Sequence, residues 1–394
     1  MIKKLVFSNF HSFAEETTID FGLSKKPTSS GYDISINEER WNKAIAIVGA
    51  NGSGKTQMLK PLAFLSWFVS SSFLGSDPDD TIPCSPHAYH KDQPTRFELD
   101  FTLEGIDHRY QLELTPKEVL SEVLFVKTSS QFSYLFKREK AKTGYSFKQK
   151  GFPFAKTKAE ELRSNASLIS AAHSYDVKEA RPLVEFFDRI QTNVNRSGRR
   201  HFQFDAVMHS AEKFEKQPEL KSRMSEVMSH FDLGLSGVDI RKAMGRDING
   251  QEETLYLPFG RHIDDDGQVF ELPFFEESSG TQSAFVLLEP ILKTLQYGGI
   301  AVIDELDNDL HPHLVPELMD WFRFEHTNPH QAQLIFTCHS PEVLDRLQKH
   351  QVYLVEKHNQ CSEAWRLDEV SGLRADDNLY AKYMAGALGA VPDL

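Results

Sequence analysis

An α/β fold built on a parallel sheet, with an antiparallel subdomain beside it and a helical insertion, is predicted by three observations. Residues Gly49-Ala50-Asn51-Gly52-Ser53-Gly54-Lys55-Thr56 form a complete G-x-x-x-x-G-K-T loop between two apolar runs. Another apolar run, Ile300-Ala301-Val302-Ile303, ends in two adjacent carboxylates, Asp304-Glu305. Segments 96–103, 109–114 and 132–137 alternate apolar and polar side chains, the pattern of an antiparallel sheet with one solvated face.

The glycine loop has the context its chemistry requires. Ala44-Ile45-Ala46-Ile47-Val48 precedes it as a short, branched strand, and Gln57-Met58-Leu59-Lys60 opens a helix that runs to Phe68. Gly49, Gly52 and Gly54, with Asn51 and Ser53 between them, let successive N–H groups turn toward a phosphate at the positive end of that helix. Lys55 supplies a mobile charge for the β/γ oxygens, and Thr56 offers a hydroxyl to Mg²⁺. The loop therefore predicts binding of a nucleoside triphosphate. Pro61 predicts a kink or a short first segment in the helix.

The acidic strand supplies the rest of such a site. Asp304 is placed to hold Mg²⁺ through water and Glu305 to polarise an attacking water. Upstream, Glu277-Ser278-Ser279-Gly280-Thr281-Gln282 precedes a helix over 283–295, so hydroxyls and a glycine lie at a helix N-terminus, where an anion is welcome. Downstream, Leu306-Asp307-Asn308-Asp309-Leu310-His311-Pro312 leads through a helix (314–324) to the strand Gln333-Leu334-Ile335-Phe336-Thr337, which delivers Cys338-His339-Ser340-Pro341. His339, at a strand end, is placed to sense a γ-phosphate.

Together these motifs resemble the ABC-type ATPases of the SMC, RecF and DNA-repair group. More narrowly, the chain is similar to the OLD-like and AbiLi/RloA-like ATPases of bacterial antiphage systems, the group of the PtuA and AriA subunits. The opening Asn9-Phe10-His11-Ser12-Phe13 also resembles their first turn. The resemblance implies an ABC-type P-loop NTPase head that hydrolyses ATP with Mg²⁺. It implies that Ser279 and Gly280 bind the γ-phosphate of ATP held by another subunit, that Asp307 and Asn308 couple the two sites, and that His339 is the switch histidine. ATP would then be sandwiched in a homodimer or a higher even-numbered homo-oligomer. The family's Mg²⁺-contacting glutamine has two candidates here, Gln131 and Asn165.

The phosphate loop and the acidic strand must meet in one sheet, so 1–394 is expected to be a single ATPase domain. It comprises an N-terminal lobe (1–155), a helical insertion (156–235), a C-terminal lobe (236–360) and a helical tail (361–394). The insertion is too short and too poor in heptads for a long coiled-coil arm. No apolar run is long enough to span a bilayer, and three widely spaced cysteines, Cys84, Cys338 and Cys361, suit a reducing, cytoplasmic setting without a zinc site. His87 and His90, and His311 and His313, read as loop residues. After His339 there is room for a strand (352–356), a turn and a helix near 379–388, but not for the nuclease domain that follows the ATPase in OLD proteins. The resemblance therefore implies a sensor or scaffold controlling a separate nuclease or toxin.

Two other readings stand beside it: a stand-alone repair ATPase, and a nucleotide-switched assembly module with little turnover. The net charge of −13 argues against a DNA-coating surface. The cluster Arg196-Ser197-Gly198-Arg199-Arg200-His201 reads as a solvated loop, with a local DNA groove or a dock for an acidic partner as alternatives.

Overall fold

The computed structural model describes residues 1–391 apart from 37, 196–197, 200–203, 232–233, 247–249, 309 and 312. Much of the basic cluster, and Asp309 and Pro312, thus lie outside the described residues. At the centre is a six-stranded sheet in the order Ile190–Thr192, Ile300–Ile303, Gln333–Thr337, Ala44–Val48, Val352–His358, Cys361–Arg366. Neighbours run parallel except the last pair. Every residue of Ala44–Val48 is buried, because Ile45 and Ile47 enter a core shared with the N-terminal sheet while Ala44, Ala46 and Val48 enter a second core under the C-terminal helices. A strand covered on both faces shows continuous apolarity in place of alternation.

The alternating segments form a seven-stranded antiparallel sheet. Its order is Tyr145–Gln149, Ser133–Lys140, Val119–Lys127, Ile106–Leu114, Thr95–Leu103, Ile2–Ser8, Thr17–Asp20. The apolar face of that sheet, with Leu5, Phe7, Phe97, Leu99 and Phe101, packs in one core with Met58, Leu59, Leu62, Leu65 and Phe68 of the helix Lys55–Ser71. Full burial of each such side chain is worth about 1.5–3 kcal/mol. The helix runs as one element through Pro61 and is not split into a short first segment. Proline removes a single N–H donor, and the buried residues on both sides hold the helix together.

The stretch expected to be a helical insertion is divided. The helices Leu168–Ser174 and Arg181–Asp188 join the first core, and Phe204–Glu215 and Pro218–His230 join the second. Between them, Ile190–Thr192 is an edge strand of the central sheet. Three residues are too few for periodicity to reveal a strand. An unforeseen meander, Gly237–Arg246, Glu252–Ile263 and Val269–Pro273, leads into the helix Ser279–Tyr297. Its second turn had a signal in the sequence: Asp264 accepts from the N–H groups of Asp266 and Gln268, a local bond typical of aspartate in turns. The last helix is Leu379–Met384, shorter than expected.

His350, 2 % exposed in the short turn before the strand Val352–His358, has no hydrogen-bond partner for Nε2 among the described residues. Burial pushes its imidazole down to about 4. The unfolded chain, with histidine near 6.5, therefore takes up the proton first. Stability is full above the unfolded pKa and is lost as pH falls from about 6.5 toward 4, by roughly 3 kcal/mol for this residue. His11, pushed to about 4 by burial and by Lys60, acts in the same direction. His350→Leu is expected to flatten the melting temperature between pH 6.5 and 4. An unchanged slope in a pH series of thermal melts would refute the assignment.

Candidate active site

Three of the motifs converge because the strands that carry them are neighbours. Ala44–Val48 lies beside Gln333–Thr337, which lies beside Ile300–Ile303, all parallel. Their carboxyl ends therefore deliver the glycine loop, the 338–340 turn and Asp304-Glu305 to one edge, where open parallel sheets place ligands. A phosphate loop at the carboxyl edge of a parallel sheet, with an antiparallel β subdomain beside it, is the α/β class that the sequence predicts.

The loop is shaped for close backbone approach. A Cβ on Gly49 would lie 2.2 Å from the Val355 carbonyl, and Gly54 sits at φ 117 where a Cβ would meet Ser362 Oγ at 2.3 Å. Sequence reasoning missed the residues behind this cradle. Ser362 Oγ donates to the Ser53 carbonyl at 2.6 Å and is hydrogen-bonded with Ser12 Oγ at 2.8 Å, and the Ser362 N–H donates to the Ser12 carbonyl. Ser12 belongs to the 9–13 turn quoted above, but Ser362, on the final strand, carries no motif. Asn51 and Gly52 form the exposed tip, while Ser53 is buried with its Oγ lacking a hydrogen-bond partner among the described residues.

Lys55 is buried, and its ammonium donates to the Gly49 and Ala50 carbonyls at 2.8 and 3.2 Å. Burial lowers its pKa, and the carboxylates of Asp304, Glu305 and Asp307 act in the opposite sense. Thr56 Oγ1 donates to the Asp304 carboxylate, 2.9 and 3.1 Å from its two oxygens. A hydroxyl and a carboxylate thus meet where a cation between loop and strand would bind. Among the described residues no cluster of three His, Cys, Asp or Glu side chains is arranged to hold a metal by itself.

Asp304 is 1 % exposed and is held from two sides. Thr337 Oγ1 donates to its Oδ1 at 2.6 Å. Asn193 accepts from the Asp304 N–H at 2.8 Å and donates to the Asp304 carbonyl at 3.0 Å. Glu305 stands at φ 51 and approaches His339 Nε2 at 3.3 Å. Asp307 Oδ2 accepts from the N–H groups of His339 and Ser340 at 2.9 and 2.7 Å, fixing that turn against the loop after Glu305. The Cys338 thiol between them is fully buried, and burial raises it well above its ordinary range, so it is inert packing.

Ser279 and Gly280 occupy the first turn of the helix Ser279–Tyr297. Ser278 is its cap, accepting from the Thr281 N–H at 3.1 Å. The two candidates for the Mg²⁺-contacting glutamine sit in loops, one after Val119–Lys127 and one before Leu168–Ser174. Gln131 is exposed at a hairpin end, and Asn165 is buried with its Nδ2 on the carbonyls of Asp77, Pro78 and Asp80. Asn193, just beyond the short edge strand, is the carboxamide that sits beside Asp304.

No curated protein matches the chain. Among solved structures, an SMC head titled "Crystal structure of the SmcHead bound to the C-winged helix domain of ScpA" aligns at TM-score 0.42 and 12% identity, over 93% of this chain and 98% of that one. An SMC head domain with an extended coiled coil bound to the C-terminal domain of ScpA derived from Pyrococcus furiosus aligns at 0.42 and 11%, over 93% and 97%. The model of the family described as "AAA domain, putative AbiEii toxin, Type IV TA system" matches residues 44–345, and the chain belongs to that family.

Proposed function

We propose that this chain binds ATP with Mg²⁺ and hydrolyses it between two protomers, as the ATPase subunit of a bacterial antiphage, abortive-infection-type complex that controls a separate nuclease or toxin. The observation that carries the ATPase reading is the convergence of Lys55, the Thr56–Asp304 pair and the Glu305–His339 pair at one sheet edge. The glycine-loop N–H groups and Lys55 would bind the β- and γ-phosphates. Thr56 and Asp304 would hold Mg²⁺, which when bound neutralises phosphate charge. Glu305 would take the proton of the attacking water, and His339 would orient it toward the γ-phosphate. Ser279 and Gly280 would complete the site of a facing protomer, since hydroxyl and N–H groups at a helix N-terminus favour an anion. The defence setting is supported by the family's toxin–antitoxin description.

Glu305→Gln keeps the shape and hydrogen bonding of the side chain but cannot accept the proton. It is expected to lower kcat about 10²–10⁴-fold while ATP still binds, and so to accumulate an ATP–Mg²⁺-dependent dimer or a multiple of it. Light-scattering mass with and without ATP–Mg²⁺ checks this, alongside whatever neighbour-encoded protein co-purifies. Undiminished turnover, or a monomer indifferent to ATP, would overturn the sandwich. Turnover that rises sharply with DNA, with no partner retained, would favour the stand-alone repair ATPase.

A further inference from the structure

We propose that Thr337 is a positioning residue for hydrolysis, holding Glu305 in a left-handed backbone conformation from which its carboxylate meets His339. The inference rests on the ATPase reading above. Glu305 has φ 51, although it carries a Cβ and is separated from the end of a buried strand by Asp304 alone. Non-glycine residues hold that conformation only where the surroundings over-determine it, and such residues gather at functional sites.

The surroundings of Glu305 do over-determine it, and Thr337 is their centre. Its side chain is fully buried at the carboxyl end of the adjacent strand. One hydroxyl makes two bonds with opposite roles: Oγ1 donates to Asp304 Oδ1 at 2.6 Å and accepts from the Glu305 N–H at 2.7 Å. The Thr337 carbonyl accepts the next amide, Leu306 N–H, at 2.9 Å. From the other side, Asn193 grips both the N–H and the carbonyl of Asp304. The backbone on each side of the Glu305 Cα is therefore fixed, and rotation to the extended conformation would break the Thr337 bonds. The same hydroxyl also bonds the Asp304 carboxylate, but Asp304 is held independently by Thr56 Oγ1 at its carboxylate and by Asn193 at its backbone, whereas the Glu305 N–H relies on Thr337. Asp304 and the loop still present their atoms to the nucleotide without it, so Thr337 acts on the reaction through Glu305.

Thr337→Val keeps shape and burial and removes only the hydroxyl; Thr337→Ser keeps the hydroxyl. In Thr337→Val, kcat is expected to fall on the order of 10²-fold, the size of effect produced by misplacing a reacting group by about an ångström. The Kd for a non-hydrolysable ATP analogue with Mg²⁺ should stay within about threefold, as the loop contacts persist. Thr337→Ser should restore most of kcat. Single-turnover measurements close the test: in a Glu305→Gln background, Thr337→Val should cause no further loss, because both changes disable the same group. Thermal melts of each variant monitor folding, and the serine variant keeps the proposal testable if valine unfolds the chain. Absence of turnover in the wild-type chain would overturn both the ATPase reading and this inference. Wild-type turnover that Glu305→Gln abolishes but Thr337→Val leaves intact, or a valine effect undiminished in the Glu305→Gln background, would overturn this inference alone.

Discussion

Lys55→Ala is expected to abolish measurable ATP binding. The Lys55 ammonium is buried, and its position is set by the Gly49 and Ala50 carbonyls at the base of the loop. A phosphate replaces those neutral acceptors with charged ones. Hydrogen bonds to charged groups contribute about 1.5–3 kcal/mol each, so losing two weakens binding roughly 10³-fold. Titration calorimetry with a non-hydrolysable analogue should show no heat, while the melt of the unliganded variant should change little. Lysine is also costly to bury, since burial lowers its pKa, so removing it relieves a destabilised group. Retained nanomolar or micromolar binding would overturn the central assignment.

Arg138→Ala is expected to be the most destabilising single change away from the site, at about 3–5 kcal/mol. Arg138 and Glu122 are both fully buried, with Nη1 3.4 Å from the carboxylate. The guanidinium also donates to the carbonyls of Leu162, Arg163 and Ala166, and lies over the Tyr145 ring at 3.8 Å. Glu122 in turn accepts from Tyr110 Oη, Ser167 Oγ and the Leu168 N–H. The network ties the antiparallel sheet to the start of the helix Leu168–Ser174. Truncating the arginine leaves a buried carboxylate uncompensated, a large share of a total stability of about 5–15 kcal/mol. Urea unfolding should show a lower midpoint, and adding Glu122→Gln to Arg138→Met should recover part of it. A midpoint unchanged by Arg138→Ala would mean that the pair is not buried in solution.

The contrast between these two residues shows where the sequence is informative. Lys55 announces itself because phosphate binding demands a fixed local order of glycine, lysine and threonine between a strand and a helix. Glu122 and Arg138 do not, because they sit at alternating positions of ordinary strands and meet only through register. The same holds within the site. Asp304, Glu305 and His339 are legible as polar residues ending apolar strands. Asn193, Thr337, Ser12 and Ser362 are not, because their partners are distant in the chain and their residue types are common on any surface. The resemblance offered Gln131 and Asn165 as candidates for a Mg²⁺-contacting glutamine, whereas a three-residue edge strand, invisible to periodicity, brings the Asn193 carboxamide to Asp304.

By itself, the sequence determined the α/β class, the glycine loop, the acidic strand and the antiparallel sheet, since each is set by interactions within a few residues: φ freedom, strand alternation and helix termini. Only the tertiary structure decided which strands are neighbours, that the stretch after residue 156 serves two cores, and that Glu305 is held left-handed by a threonine from the next strand. Those outcomes depend on packing and hydrogen bonds between residues far apart in the chain, and local pattern carries no record of them.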